Sequence, residues 1–117
     1  MKTLIILNDP PYGTERSYNG LRLAVTLRKN NPDDTVTVFL MADAVFSAKR
    51  GQKTPDGYYN LERMLHRITA NGGELLLCGT CMDARGLVEP ELIEGAKRST
   101  MDELAANAKA ADKVLVF

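Results

Sequence analysis

The chain has 117 residues, 44% of them hydrophobic and 26% charged, which suits one compact domain whose core needs no disulfide staples. Fifteen basic and fifteen acidic residues cancel, and no basic run stands out, which speaks against nucleic acid as a partner. The opening MKTLIILNDPP is too short in apolar residues for a signal-peptide core, and no later run approaches a membrane span, so a cytoplasmic protein is expected.

Residues 3–7, TLIIL, form a short apolar run ended by the turn formers NDPPYG, the pattern of a buried strand followed by a loop. From Glu15 to about Asn30 the period becomes helical, with Tyr18, Leu21 and Val25 on one face, widened by Ala24. Asn30, Asn31 and Pro32 stop that helix. TVTVFLM, 35–41, is rich in β-branched residues and apolar toward its end, as a central parallel strand should be. Asp43 is placed to cap a short helix through about Lys49. Residues 50–60, RGQKTPDGYYN, break all periodicity and read as a long polar loop, a feature that is often functional in compact domains.

Asn60 then caps a helix with Leu61, Met64, Leu65 and Ile68 on one stripe, closed by Asn71-Gly72-Gly73, and the same projection turns His66 to solvent. ELLLC, 74–78, reads as a third buried strand. Residues 79–86 make a helical turn or two, ended by Gly86. A short edge strand is expected within 92–98. Ser99 and Thr100 each precede an acid by three residues, Asp102 and Glu103, which gives two overlapping capping boxes. The helix they open carries Leu104, Ala105, Ala108 and Ala111, and KVLVF closes the chain as a last strand. Strands alternating with helices predict a single α/β domain with a mostly parallel sheet and helices on both faces.

Both cysteines fall in LLLCGTCMDARG, residues 75–86, at the end of the third strand, where such folds gather ligands and reactive groups. In a reducing compartment a CxxC pair points to chemistry or metal more than to a structural disulfide. Thr80, followed three residues later by Asp83, reads as an N-cap, which makes Cys81 the first helical residue, beside unpaired N–H groups. Arg85 lies one turn on and adds positive charge, while Asp83 opposes it. The expected net effect is a lowered pKa for Cys81. Tetrahedral zinc needs four ligands, and two cysteines with one histidine do not supply them, so no metal is expected within one chain. CGTC opening a helix resembles the thioredoxin dithiol, but there the pair comes much earlier and a cis-proline loop and β-hairpin follow. A nucleophile with a neighbour, a redox dithiol and two inert core thiols stay open at this point.

Two loops supply further candidates. Asn8, Tyr12 and Gly13 lie in the turn after the first strand, where N–H groups could receive an anion, although a plain turn with a cap explains the same residues. Arg50, Gln52 and Tyr58 lie in the long loop, where Arg50 could receive an anion and Tyr58 could line a pocket or cover the cysteines.

Taken together, NDPPYGTERSYNGLRLA, FLMADAV, RGQKTPDGYYN and CGTCMDARG, in that order, resemble the DsrE/DsrF-like family, most of all its small stand-alone YchN-type branch. The likeness runs through to the closing ADKVLVF. It implies a three-layer α/β/α sandwich around a five-stranded sheet, assembled into homo-oligomers, trimers or hexamers. It also implies a sulfur carrier that holds sulfane sulfur as a cysteine persulfide between a donor and an acceptor, with no cofactor, because sulfur is the cargo. The family's reactive cysteine is followed by an arginine-glycine pair, which here carries the acceptor role to Cys81 ahead of Arg85-Gly86, with Cys78 as an added neighbour.

Overall fold

In the computed structural model, which describes residues 1–117, five strands alternate their side chains between two faces. They are β1 (Lys2–Leu7), β2 (Thr35–Leu40), β3 (Glu74–Cys78), β4 (Ala96–Ser99) and β5 (Lys113–Val116). All neighbours run parallel, in the order β4-β3-β2-β1-β5. The helices are α1 (Arg16–Asn30), α2 (Leu61–Ala70), α3 (Gly79–Ala84) and α4 (Met101–Ala110). No helix is long and apolar enough to cross a membrane.

The strand register decides which residues meet at the rim. Leu7 pairs with Leu40, Leu40 with Leu77, and Cys78 with Ser99, so the carboxyl ends finish together and Cys78 stands at that edge. On one face Ile5, Leu7, Val36, Val38, Leu40, Leu75 and Leu77 pack against Leu21 and Ala24 of α1 and Leu61, Leu65 and Ile68 of α2. The other face holds only Leu4, Phe39, Leu76, Cys78 and Leu104 in its core, because α4 alone covers it. The two layers are therefore unequal. Val114 and Val116 of β5, which share the α4 side with Leu4 and Ile6, stay 42% and 64% exposed.

Several expected elements shift. The short helix expected up to about Lys49 is a 3₁₀ segment, Ala42–Ala48, and Met41 occupies its N-cap with no side-chain bond. Asp43 does not cap it, because its carboxylate is drawn to Arg85 at 2.7 Å. The edge strand starts at Ala96, later than the centre of the expected window, after a 3₁₀ turn at Glu89–Glu91. Thr100 caps α4 as expected, its oxygen accepting the Glu103 N–H at 3.2 Å. Ala105 and Ala108 stay exposed and only Leu104 is buried from that helix.

Gly20, inside α1, marks where helix and sheet come closest. A Cβ there would lie 2.5 Å from Cδ2 of the buried Leu7 and 3.1 Å from the Phe117 ring. Alanine favours a helix over glycine by about 1 kcal/mol, whereas overpacking a filled core costs about 1–3 kcal/mol. We expect Gly20→Ala to lower the urea midpoint, with a net loss of about 1 kcal/mol; a raised midpoint would mean that Leu7 has room to retreat.

Candidate functional site: the dithiol at the rim of β3

β3 delivers Cys78 to the rim, and the chain turns at once into α3. The residue that caps α3 is Cys78, whose Sγ accepts the Cys81 N–H at 3.3 Å. This corrects the expectation that Thr80 is the cap and Cys81 the first helical residue. The helix starts at Gly79, so the sulfur of Cys78 already occupies the acceptor position that an N-cap requires. The Thr80 hydroxyl instead lies 3.2 Å from the same sulfur. Both cysteines are free thiols, Cys78 buried and Cys81 half-buried.

Hydrogen bonding separates the two sulfurs. Burial pushes the Cys78 thiol up, but bonds from the Cys81 side chain and from Thr80, with both backbone N–H groups, outweigh it and bring it below the ordinary thiol value. Cys81 moves the other way. Burial raises it, the bond to Cys78 and the charge on that sulfur raise it further, and the Ala42 N–H and Arg85 do not reverse the balance. The lowered pKa expected for Cys81 therefore belongs to Cys78. Arg85 contributes little because its Nε donates to Asp43 Oδ1 at 2.7 Å and its Nη1 to the Cys81 carbonyl at 3.1 Å. Asp83 is not tied back into the cap either; both its oxygens accept from Arg98, at 2.8 and 2.7 Å.

The structure adds donors that the sequence did not announce. The Ala42 N–H reaches Cys81 Sγ at 3.2 Å, and Ala42 is the sole non-glycine residue with positive φ, at 48°. That left-handed turn after β2 costs an L-residue about 1–2 kcal/mol and here aims an N–H at sulfur. Its only sequence sign is Asp43 next door, which proves to be Arg85's partner. Gly86, with φ at 65°, ends α3 in a Schellman motif: the Leu87 N–H bonds the Met82 carbonyl at 3.0 Å and the Gly86 N–H that of Asp83 at 3.3 Å. Half of the Arg85-Gly86 pair is thus a helix stop.

Of the expected site residues, Cys78, Cys81 and Arg85 come together. The other six make no hydrogen bond to either cysteine. Asn8 bonds the Phe117 carbonyl at 3.2 Å and Gly13 makes a turn with φ at 100°. The Tyr12 hydroxyl donates to Gln52 Oε1 at 2.5 Å and accepts from the Leu61 N–H at 3.2 Å. Gln52 in turn donates from Nε2 to the Ser47 and Lys49 carbonyls, at 2.8 and 2.9 Å. Arg50 is fastened to the Pro90 carbonyl. Tyr58, 71% exposed, lines a groove between α1 and α2 beside Tyr18 and Arg63, so it does not roof the cysteines as expected. The long loop is braced by its own hydrogen bonds.

These pKa directions make a prediction. Alkylation of the native protein followed by mass spectrometry across pH should give Cys78 a midpoint below that of an ordinary thiol and Cys81 one above it. In Cys78→Ser the Cys81 midpoint should fall, because the neighbouring sulfur that raises it is gone. A lower midpoint for Cys81 than for Cys78 in the native protein would reverse the assignment.

Comparison with known proteins agrees with this fold. The DsrE/DsrF-like family profile matches residues 1–117. Protein YchN of Escherichia coli K12 is 44% identical over 116 residues, covering 99% of this chain and 98% of that protein. An uncharacterized protein of Methanocaldococcus jannaschii is 39% identical over 117 residues, the whole of both chains. The crystal structure of E. coli YchN superposes with a TM-score of 0.95, covering 99% of this chain and 98% of that one. A Methanobacterium thermoautotrophicum protein of unknown function, 14% identical over 99% of this chain and 98% of its own, shares the fold at a TM-score of 0.74. By the full-length profile match and the identity to YchN, this chain belongs to the DsrE/DsrF-like family, which is associated with sulfur relay.

Proposed function

We propose that this protein is a sulfur carrier that takes up sulfane sulfur as a persulfide at the Cys78–Cys81 pair, with Cys78 supplying the thiolate. The observation that carries the reading is the Cys78 sulfur, held by the Cys81 N–H at 3.3 Å with the Thr80 hydroxyl 3.2 Å away, which stabilises negative charge on it. The acceptor role expected for Cys81 passes to Cys78 because the cap and its hydrogen bonds serve Cys78. A donor persulfide R–S–SH meets the thiolate at its outer sulfur. The S–S bond breaks, R–SH leaves with the proton, and Cys78–S–S⁻ forms. Cys81, kept as the neutral thiol, donates a hydrogen bond to its neighbour throughout.

No cofactor enters this scheme, since sulfur is the cargo. Its partners are sulfur-donor and sulfur-acceptor proteins or small thiols in the cytoplasm. A thiol-disulfide switch is the second reading, favoured by the same closeness of the two cysteines. The Cys81 thiol attacks the Cys78 sulfur of the persulfide, releases HS⁻ and leaves a Cys78–Cys81 disulfide, with atoms and charge conserved.

The carrier is further proposed to work as a homo-oligomer, a trimer or hexamer. Support comes from the thin α4 layer and the open β5 edge, where Val114 and Val116 are 42% and 64% exposed. An apolar edge of this kind suits burial against a second copy.

Two measurements test these statements. After incubation with a sulfane-sulfur donor, intact mass should show one added sulfur that survives in Cys81→Ser and vanishes in Cys78→Ser. The reverse pattern returns the acceptor role to Cys81, and a stable disulfide with no adduct selects the switch. Val116→Lys should lower the mass seen by light scattering to that of a smaller assembly; an unchanged mass would take the interface away from β5.

A further inference from the structure

We infer that the cleft beside Cys78 receives a small sulfane-sulfur oxyanion of the thiosulfate type, which Arg98 orients for attack by the Cys78 sulfur; this deepens, and rests on, the persulfide reading. The cleft, of about 170 Å³, opens on the α4 face between the ends of β3 and β4, with Phe39, Cys78, Thr80, Arg98, Thr100 and Met101 among its walls. Cys78 is the one cysteine that lines it, while the sulfur of Cys81 is turned to the Ala42 N–H.

Size selects the class of ligand. Pockets for nucleotide- or drug-sized molecules run from about 300 to 1,000 Å³, so this cleft is too small for them. At about 30 Å³ per water, it has the room of roughly five waters, ample for an anion of about five heavy atoms. Its polar groups select the charge. The Arg98 guanidinium spends two N–H bonds on Asp83, and its Nε–H and outer Nη hydrogens stay free of that pair. Asp83 keeps the group oriented and offsets part of its charge. The Met101 N–H, in the first turn of the ten-residue α4 and at the cleft wall, has no intrahelical acceptor. The Glu103 carboxylate is taken up by the Ser99 hydroxyl, while Glu89 adds negative charge near Arg98 and Asp102 adds it in the same first turn.

Gly79 lets the guanidinium come close to the backbone. A Cβ on residue 79 would stand 2.8 Å from Arg98 Cζ and Nε, so the arginine lies against bare backbone directly beside Cys78. In the proposed step the Cys78 thiolate attacks the outer sulfur of ⁻S–SO₃⁻. The S–S bond breaks with its electron pair going to the leaving group, giving Cys78–S–S⁻ and sulfite, SO₃²⁻. Charge and atoms balance, and no further oxidant or reductant is needed.

The full-length protein is incubated with thiosulfate or, separately, with inorganic polysulfide, which lacks a sulfonate head, and intact mass and released sulfite are followed over time. The native chain should gain one sulfur from thiosulfate with one sulfite released. Arg98→Gln should slow loading from thiosulfate about tenfold or more, as loss of a charge-assisted hydrogen bond does, and loading from polysulfide by less than about threefold. Gly79→Ala, which displaces the guanidinium without removing it, should act in the same direction. Loading from polysulfide with none from thiosulfate, or an equal response of both donors to Arg98→Gln, overturns the cleft assignment and leaves the persulfide reading standing. No loading from either donor overturns both.

Discussion

A backbone N–H bonded to a thiol sulfur, Cys81 to Cys78 at 3.3 Å, organises everything around the rim of β3. It starts α3, and so sets where Arg85, Asp83 and the Gly86 stop fall on that short helix. It also places negative charge best on the buried sulfur rather than the half-buried one. Had Thr80 been the cap, the helix would begin two residues later and Cys81 would face the free N–H groups. The difference between the two starts decides which sulfur accepts the N–H bond.

The unequal layers explain how such a site can stay both anchored and reachable. On the α1–α2 side the core is deep, and Leu77 leads into Cys78 from a fully buried position. On the α4 side one ten-residue helix with a single buried leucine covers a five-stranded sheet. The cleft at Cys78 and the exposed valines of β5 both lie on that lightly covered face. The rim sulfur and the uncovered apolar edge therefore face the same side of the sheet, away from the densest packing.

Much of the fold was legible because its signals are local. The runs TLIIL, TVTVFL and ELLLC needed only their β-branched and leucine content, and Asn60 and Thr100 needed only their spacing to capped N–H groups. The site was legible only in part, because its decisive contacts join segments far apart in sequence. Arg85 meets Asp43, Arg98 meets Asp83, and Cys81 meets Ala42, and no periodicity predicts such pairs. The loop residues Tyr12, Gln52 and Arg50 looked like ligand groups for a related reason. Polar side chains bracing a loop have the same composition as polar side chains waiting for a ligand, and only their partners tell them apart.

The berth of Arg98 on Gly79 also bears on what can stand between the cysteines. Spacing treats the two residues between the cysteines as free choices, yet the first sits under a guanidinium from another strand. A side chain at 79 would move the end of the flexible Arg98 side chain off its place beside Cys78. What stands between the cysteines is therefore felt by a residue well outside the CxxC.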